Sequence, residues 1–475
     1  THLHDKVGTP IEELFGMPEE SATATDVMAT TPQFARHFQE ARNAGKAIHY
    51  LLWAGERVLQ LSAYQEAIAH LTAGLDLLGS QPESSESARQ ELALQAVLGM
   101  AWVGVRGYGP EALKANTRTR DLARRLGETF QLCRAAGELS INYYVWAEYP
   151  RSRELAEEML SLAQQAGDSL LVALAQSYLG FVSFALGEYA TARAHVQQLI
   201  AYYDPGLHHR SLISLRGSDI GLSARAYDAC CLWCLGFPDQ ARKRSEEALA
   251  LARELGHAFT LADVLAFGGC LLGELSQDAD IATSGARELK MLATEKLGGW
   301  QATAVWYSGE AQALQGRFED GIVEMRKGLE HQQYGNERCY RTGCLCSIAK
   351  AQGKVGRPEE GLSTLAEALA QVKTADERYS EAEIYRVKGE LLLAQGDEAE
   401  AEADLRQAES CFRHTIEVAR CQQAKSWELR ATISLARLWQ AQGKQEEARE
   451  ALSEVYDWFT EGFDTPDLKE AQALL

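Results

Sequence analysis

Helix-length apolar runs come in pairs along this chain, and each pair carries one small residue where its two helices have to touch. The ten markers are Ala67, Ala112, Ser152, Ala192, Ala241, Ala282, Gly321, Gly361, Ala408 and Ala448. The steps from Ser152 to Ala192, from Gly321 to Gly361 and from Ala408 to Ala448 are each 40 residues; that from Ala241 to Ala282 is 41 and that from Ala282 to Gly321 is 39. A repeat of that length is a helix pair that cannot bury its apolar face alone and stacks on its neighbours to do so. The expected fold is therefore all-α, a helical-repeat solenoid of about ten helix pairs.

Residues 177–196 show how one pair is built. The first helix ends at Gly187, which can take the left-handed conformation that closes a helix, and Tyr189 follows to pack across the turn. Gly180 and Ala192 are small because a larger side chain at the crossing would push the backbones apart. The same grammar returns as Gly309, Gly316, Phe318 and Gly321, as Ala349, Gly356, Pro358 and Gly361, and as Ala436, Gly443 and Ala448. Gly55, Tyr64, Ala67 and Gly74 play these parts in the first unit. Over residues 46–460 the pattern resembles the tetratricopeptide repeat, in units somewhat longer than its usual length of about 34 residues. That resemblance implies a right-handed superhelix over residues 31–475.

The two longest steps depart furthest from the period. From Ala192 to Ala241 there are 49 residues, the excess lying in 203–220, which reads either as a loop dropped into the groove or as a helix-end cap. From Gly361 to Ala408 there are 47, the excess lying in the acidic, Ala-rich run 397–409, which reads as an extension of one helix. Residues 1–30 fit no repeat. Their Ser/Thr/Ala-biased part, 21–31 with Pro32 next, reads as a linker, and 2–15 as the end of a helix from a preceding domain.

Length and charge narrow the picture further. At 475 residues the chain exceeds the roughly 250–300 that one compact core supports, a problem an elongated array does not have. A formal net charge of −20, with no Lys/Arg run long enough for a phosphate-binding stripe, argues against nucleic acid and anionic membrane surfaces as partners. No apolar stretch is read as reaching the roughly 18–20 residues of a membrane span, and the N-terminus has no charged-then-apolar signal pattern, so the expected location is cytoplasmic. In that compartment the ten cysteines read as reduced packing residues rather than a disulfide framework.

The C-terminal stretch Ala419-Arg-Cys-Gln-Gln-Ala-Lys-Ser-Trp-Glu-Leu-Arg-Ala-Thr-Ile-Ser-Leu-Ala-Arg-Leu-Trp-Gln-Ala-Gln-Gly443, followed by Val455-Tyr-Asp-Trp-Phe-Thr-Glu-Gly-Phe-Asp-Thr-Pro-Asp-Leu-Lys-Glu-Ala471, is similar to the end of a bacterial family. These are large signalling ATPases of the STAND class, many with an N-terminal class III adenylate/guanylate cyclase domain, that end in tetratricopeptide repeats. Arg106-Gly-Tyr-Gly, Tyr203-Asp-Pro and residues 232–241 look like parts of the same repeat region, and 2–15 and 35–41 like its junction with the ATPase. The resemblance implies a sensor arm that holds an ATPase inactive until a ligand or partner binds. The chain itself has no Gly-x-x-x-x-Gly-Lys-Ser/Thr phosphate loop. Gly45-Lys46 and Gly443-Lys444 lack the glycine five residues before and the hydroxyl after.

No His-Glu-x-x-His, Gly-x-Ser-x-Gly or calcium-loop pattern occurs either, so neither catalysis nor a cofactor is expected. Cys230, Cys231 and Cys234, with His208 and His209 upstream, admit a soft-metal reading, but a strong zinc signal needs two such groups and core packing is the simpler one. The groove offers more. With the crossing residue at position 8, the first helix of a unit lines the concave surface roughly at positions 2, 5, 9 and 12. That frame puts Tyr144, Phe181, Phe184, Trp233, Phe267 and Trp306 in the groove of the middle units, with Glu56, Lys350, Arg386, Glu390 and Arg437 on the flanking ones. Such a surface suits a protein or peptide segment, and the competing reading turns the rings into cores between repeats. The expected function is a non-catalytic interaction module that binds a protein or peptide in its concave groove and regulates an associated signalling ATPase or nucleotide cyclase. The alternative is a small-molecule sensor arm, whose pocket would be enclosed, with residues 204–219 as its candidate cover.

Overall fold

A computed structural model describes residues 43–61, 63–295, 297–335, 337–395 and 401–475. The linker and helix remnant expected in residues 1–30, and the junction at 35–41, lie outside the described residues. Twenty-two helices make up the described chain, packed as consecutive pairs in a TPR-like repeat fold. The first four pairs are α1 (Ala44–Gln60) on α2 (Tyr64–Gly79), α3 (Ser85–Arg106) on α4 (Pro110–Leu126), α5 (Thr129–Val145) on α6 (Tyr149–Ala166), and α7 (Ser169–Ala185) on α8 (Tyr189–Tyr202). An additional helix, α9 (Pro205–Arg216), intervenes. The pairs resume with α10 (Ile220–Cys234) and α11 (Pro238–Leu255), α12 (Ala258–Ser276) and α13 (Ala279–Glu295), then α14 (Gln301–Leu314) and α15 (Phe318–Gly335). The last three are α16 (Arg341–Lys354) and α17 (Pro358–Ala375), α18 (Glu381–Gln395) and α19 (Ala401–Cys421), and α20 (Lys425–Ala441) and α21 (Gln445–Tyr456). Helix α22 (Pro466–Leu474) packs back on α20.

All ten marker residues lie on second helices and all are buried. The crossings explain their size: a Cβ placed on Gly309 of α14 would stand 2.8 Å from the Gly321 carbonyl oxygen and 2.6 Å from the Met325 nitrogen of α15. Between the helices of a pair the chain turns through a left-handed residue, Gly187 (φ +76°), Gly316 (+83°), Gly356 (+78°) or Gly443 (+80°). In units 3 and 6 Ala147 (φ 58°) and Gln277 (φ 56°) hold the same place.

The excess in 203–220 is neither a bare loop nor a simple cap but the helix α9. Asp204 starts it, its carboxylate accepting the backbone N–H groups of Gly206 (2.8 Å) and Leu207 (3.2 Å). The second long step ends in α19, whose 21 residues make it the longest second helix among the described residues; 396–400 lie outside them. Helix α12 corrects the expectation that no stretch reaches membrane-spanning length, since its 19 residues are long and apolar enough by composition. Most of it is buried, and it contains a π-helical turn, Leu265–Leu271, packed against α10, α11 and α13.

After five units the array coils back onto itself. Ahead of α16, the N–H groups of Arg338 and Cys339 donate to the Val145 carbonyl at the end of α5 (2.8 and 3.0 Å). Ahead of α18, those of Arg378 and Tyr379 donate to the Ala185 carbonyl at the end of α7 (2.9 and 3.1 Å). At the start of α20 the Ser426 hydroxyl donates to the Trp233 carbonyl of α10 (2.5 Å), across 193 residues of sequence, the same separation as from Val145 to Arg338 and from Ala185 to Arg378. The last carbonyls of a helix have no partner within it, so each coil completes the helices of the coil before. Side chains reinforce the seam. Tyr189 donates to the Tyr379 carbonyl (2.5 Å) and Tyr149 to the Glu377 carboxylate, which also accepts the Tyr340 N–H (2.8 Å), the Thr342 N–H (2.9 Å) and the Thr342 hydroxyl (2.7 Å).

Two stability measurements follow. Removing the β-carbon from a left-handed position relieves a cost of roughly 1–2 kcal/mol, partly offset by lost packing, so Ala147→Gly is expected to raise the unfolding free energy in urea by about 0.5–1 kcal/mol. Glu377→Ala strands two buried backbone donors and the Tyr149 and Thr342 hydroxyls, and is expected to lower it by about 3 kcal/mol or more. A Glu377→Ala protein as stable as the wild type would show that the coil-to-coil seam contributes little.

Candidate functional site

The inner side of the coil is aromatic where the two coils meet. Tyr144 of α5, Tyr227 of α10 and Tyr340 ahead of α16 share their hydroxyls in a closed set of hydrogen bonds, at 2.9 Å (144–227), 2.5 Å (144–340) and 3.1 Å (340–227). Phe181 stacks on Tyr227 with centroids 4.2 Å apart, and the Phe267 ring lies 4.3 Å from the same tyrosine. Burial pushes all three tyrosines well above their usual pKa, so their hydroxyls stay protonated.

A cavity of about 130 Å³ opens beside these rings, with walls from α3, α5, α7, α10, α12, α14 and the segment ahead of α16. Ten of its twenty-two lining residues are aromatic, which leaves few polar groups to orient an occupant. Those few include Asp263 and Glu337. Asp263 accepts the Ser223 hydroxyl. Glu337 has no hydrogen-bond or ion-pair partner among the described residues, and burial pushes its carboxyl up to about 7. It sits so close to Gly107 that a Cβ there would be 2.5 Å from its carboxylate. Next to this cavity runs a larger one of about 690 Å³ over the inner faces of units 1–3, bordered by Arg210, Ser211 and Ile213 of α9. The two share Val103, Tyr108 and Phe259 as walls.

Toward the C-terminal units the interior turns ionic. Arg386 grips Glu383 with two hydrogen bonds (2.6 and 2.8 Å), and Arg430 grips Asp467 (2.5 Å) while lying 5.2 Å from the Trp233 ring and 5.1 Å from the Trp427 ring. Burial would push Glu383 up, but Arg386, Lys350 and Arg430 outweigh it and hold the carboxyl down at about 2. Glu274 and Glu310 meet no such excess of cations. Burial pushes Glu310 up to about 7, and burial together with the neighbouring Glu310 carries Glu274 well above its usual range.

The six aromatic groove positions all come from first helices, yet they do not form an open floor. Tyr144, Phe181, Phe184, Trp233 and Trp306 are each at most 5% exposed, because the two coils lie against each other; Phe267 is half-buried. Tyr144, Phe181, Phe267 and Trp306 meet at the cavity. Phe184 lies behind it, stacked on Tyr379 at 6.0 Å, and Trp233 packs edge-on against Trp427 at 4.9 Å. Of the flanking positions, Glu56 lines the groove, Lys350, Arg386 and Glu390 belong to the ionic interior, and Arg437 pairs with Glu470 (2.6 Å). Cys230, Cys231 and Cys234 are buried on α10, and burial pushes their thiols up. Sequence reasoning did not single out Tyr227, Glu337, Tyr340, Glu377 or Tyr379. Four of these lie in connectors, where the repeat grammar assigns no role; the recurrence of an aromatic at Tyr340 and Tyr379 just ahead of consecutive first helices was the available signal.

The chain matches no protein-family model. It also matches no curated protein. Among solved structures it is similar to yeast Tom70, at 13% identity over 94% of this chain and 95% of that one, with a TM-score of 0.35. It is similar to the Rap conjugation gene regulator of the plasmid pLS20 in complex with the Phr* peptide, at 12% identity over 79% and 97%, TM-score 0.45. A third is a STAND protein with a tetratricopeptide repeat sensor from Pyrococcus horikoshii, at 11% identity over 83% of this chain and 56% of that one, TM-score 0.40.

Because these rings are interior, Trp306→Ala is expected to cost about 3–5 kcal/mol of stability in urea denaturation, and a loss within 1 kcal/mol would place the ring outside the core. The raised carboxyl of Glu337 gives a pH signature. It binds its proton more tightly folded than unfolded, so its contribution to stability is full below about 4.5 and is lost as pH rises through about 7. Relative to wild type, Glu337→Gln should therefore gain stability between pH 5 and 8, by up to about 1.4 kcal/mol per pH unit. A difference that stays flat with pH would contradict a carboxyl desolvated by its surroundings.

Proposed function

We propose that this chain is a non-catalytic recognition module. An extended protein segment lies in the groove over units 1–3 and seats one of its side chains in the aromatic cavity. The observation that carries this reading is the juxtaposition of an open groove of about 690 Å³ with an apolar cavity of about 130 Å³ that shares its walls. A groove with one deep pocket is the arrangement by which an extended ligand gains affinity from a few anchors rather than from area alone.

The cavity draws its walls from both coils, α3, α5 and α7 on one side and α14 with the segment ahead of α16 on the other. An occupant that prefers one spacing of the coils shifts the population toward it. The resemblance of the C-terminal stretch to STAND sensor arms supports the view that this shift is passed to an associated signalling ATPase or nucleotide cyclase. A second reading, a metabolite held in the cavity alone, is favoured by the cavity's size, close to the roughly 150 Å³ that accommodates a benzene ring.

Selection of a random dodecapeptide display library on the full chain tests the first reading. Peptides that bind with micromolar affinity or better, and lose at least about tenfold with Phe130→Ala, are expected, since Phe130 is an exposed ring on the groove wall. Selected peptides indifferent to Phe130→Ala would remove the groove from the reading, and native mass spectra with a retained mass below about 1 kDa in place of peptide binding would favour the second.

A further inference from the structure

Resting on that reading, we propose that the anchoring side chain is a cation: the aromatic cavity receives a lysine or arginine of the bound segment, its charged head set against ring faces and the carboxylates of Glu337 and Asp263. Three independent features of the cavity point this way.

The first is the wall. Tyr108, Tyr227, Phe267 and Trp300 belong to a lining in which aromatic residues outnumber every other kind. Ring faces carry negative potential and attract ammonium or guanidinium groups most strongly where water is excluded. The second is charge. Among the described lining residues there are two carboxylates and no lysine, arginine or histidine, so a basic head meets no like charge at the wall. The −20 net charge of the whole chain steers cations toward it over longer range.

The third is the state of Glu337. The three tyrosine hydroxyls at the cavity satisfy one another and Asp263 takes the Ser223 hydroxyl, but Glu337 is left with no partner among the described residues. A neutral apolar occupant would seal that carboxyl into a still drier site, and an anion would oppose it. A basic side chain supplies the missing partner, and its methylene stem occupies the apolar mouth. The position is held firmly, because the N–H groups of the next two residues, Arg338 and Cys339, are bonded to the Val145 carbonyl.

The test uses the full chain and saturation-transfer NMR at pH 8, with n-butylammonium and n-propylguanidinium as mimics of the two side chains and n-butanol as a neutral isostere. Both cations are expected to bind at least tenfold more tightly than n-butanol, and to lose that advantage in Glu337→Gln. This variant removes a charge that has no partner among the described residues, without changing shape, and circular dichroism checks that it folds. n-Butanol binding as well as the cations, or cation affinity unmoved by Glu337→Gln, overturns the proposal. Peptides selected on the wild-type chain are expected to carry Lys or Arg at one aligned position and to weaken at least tenfold on Glu337→Gln. Selected peptides with no basic residue at an aligned position overturn the cationic anchor and leave the peptide groove standing, whereas tight cation binding with no selectable peptide overturns the peptide groove and leaves the cation site.

Discussion

The carbonyl groups at the ends of α5 and α7 find no donor within their own helices, that of Trp233 at the end of α10 takes the Gly236 N–H, and the chain brings donors to all three from 193 residues further on. A solenoid of this type ordinarily depends on contacts between neighbouring units alone. Here unit 3 is completed by the approach to unit 8, unit 4 by the approach to unit 9 and unit 5 by the start of unit 10. A buried polar group left unpaired costs more than the bond itself is worth, so these seams fix how tightly the coil winds.

That winding decides what the inner face is. In an open coil the aromatic residues of units 3–7 would present a continuous floor to solvent. With the second coil laid against the first, most of that floor becomes core, and the packing of Phe184 on Tyr379 and of Trp233 on Trp427 is the result. Space survives over units 1–3 and at the junction of the two coils, where the rings do not fill the volume between six helices. The ionic interior of the later units reflects the same closure. Arg386 and Arg430 are enclosed, so each needs a carboxylate of its own, and Glu383 and Asp467 provide them.

Most of the architecture was legible in the sequence because it is local. The crossing of two helices admits only small residues, so the ten markers recorded all ten pairs, and the left-handed turns recorded most of the junctions. The inward direction of Tyr144, Phe181, Phe184, Trp233, Phe267 and Trp306 also followed from the position of each within its own helix. What these residues face did not, because it depends on a small rotation from each unit to the next, summed over five units, and no single unit encodes that sum. Glu337 and Glu377 were invisible for a related reason. They lie in connectors, and their roles are set by Gly107 and Tyr149 of the other coil.

The two longest steps in the repeat acquire a meaning from the seams. Between Ala185 and Trp233 the first coil contains the insertion that forms α9, and between Arg378 and Ser426 the second contains the lengthened unit of α19; both intervals are 48 residues. Each irregularity offsets the other, and the two coils stay in phase like meshed gears. The module of change in this protein is therefore not one repeat but two repeats five apart, and a lineage or an engineer who adds or drops a single unit shifts every later tooth out of mesh.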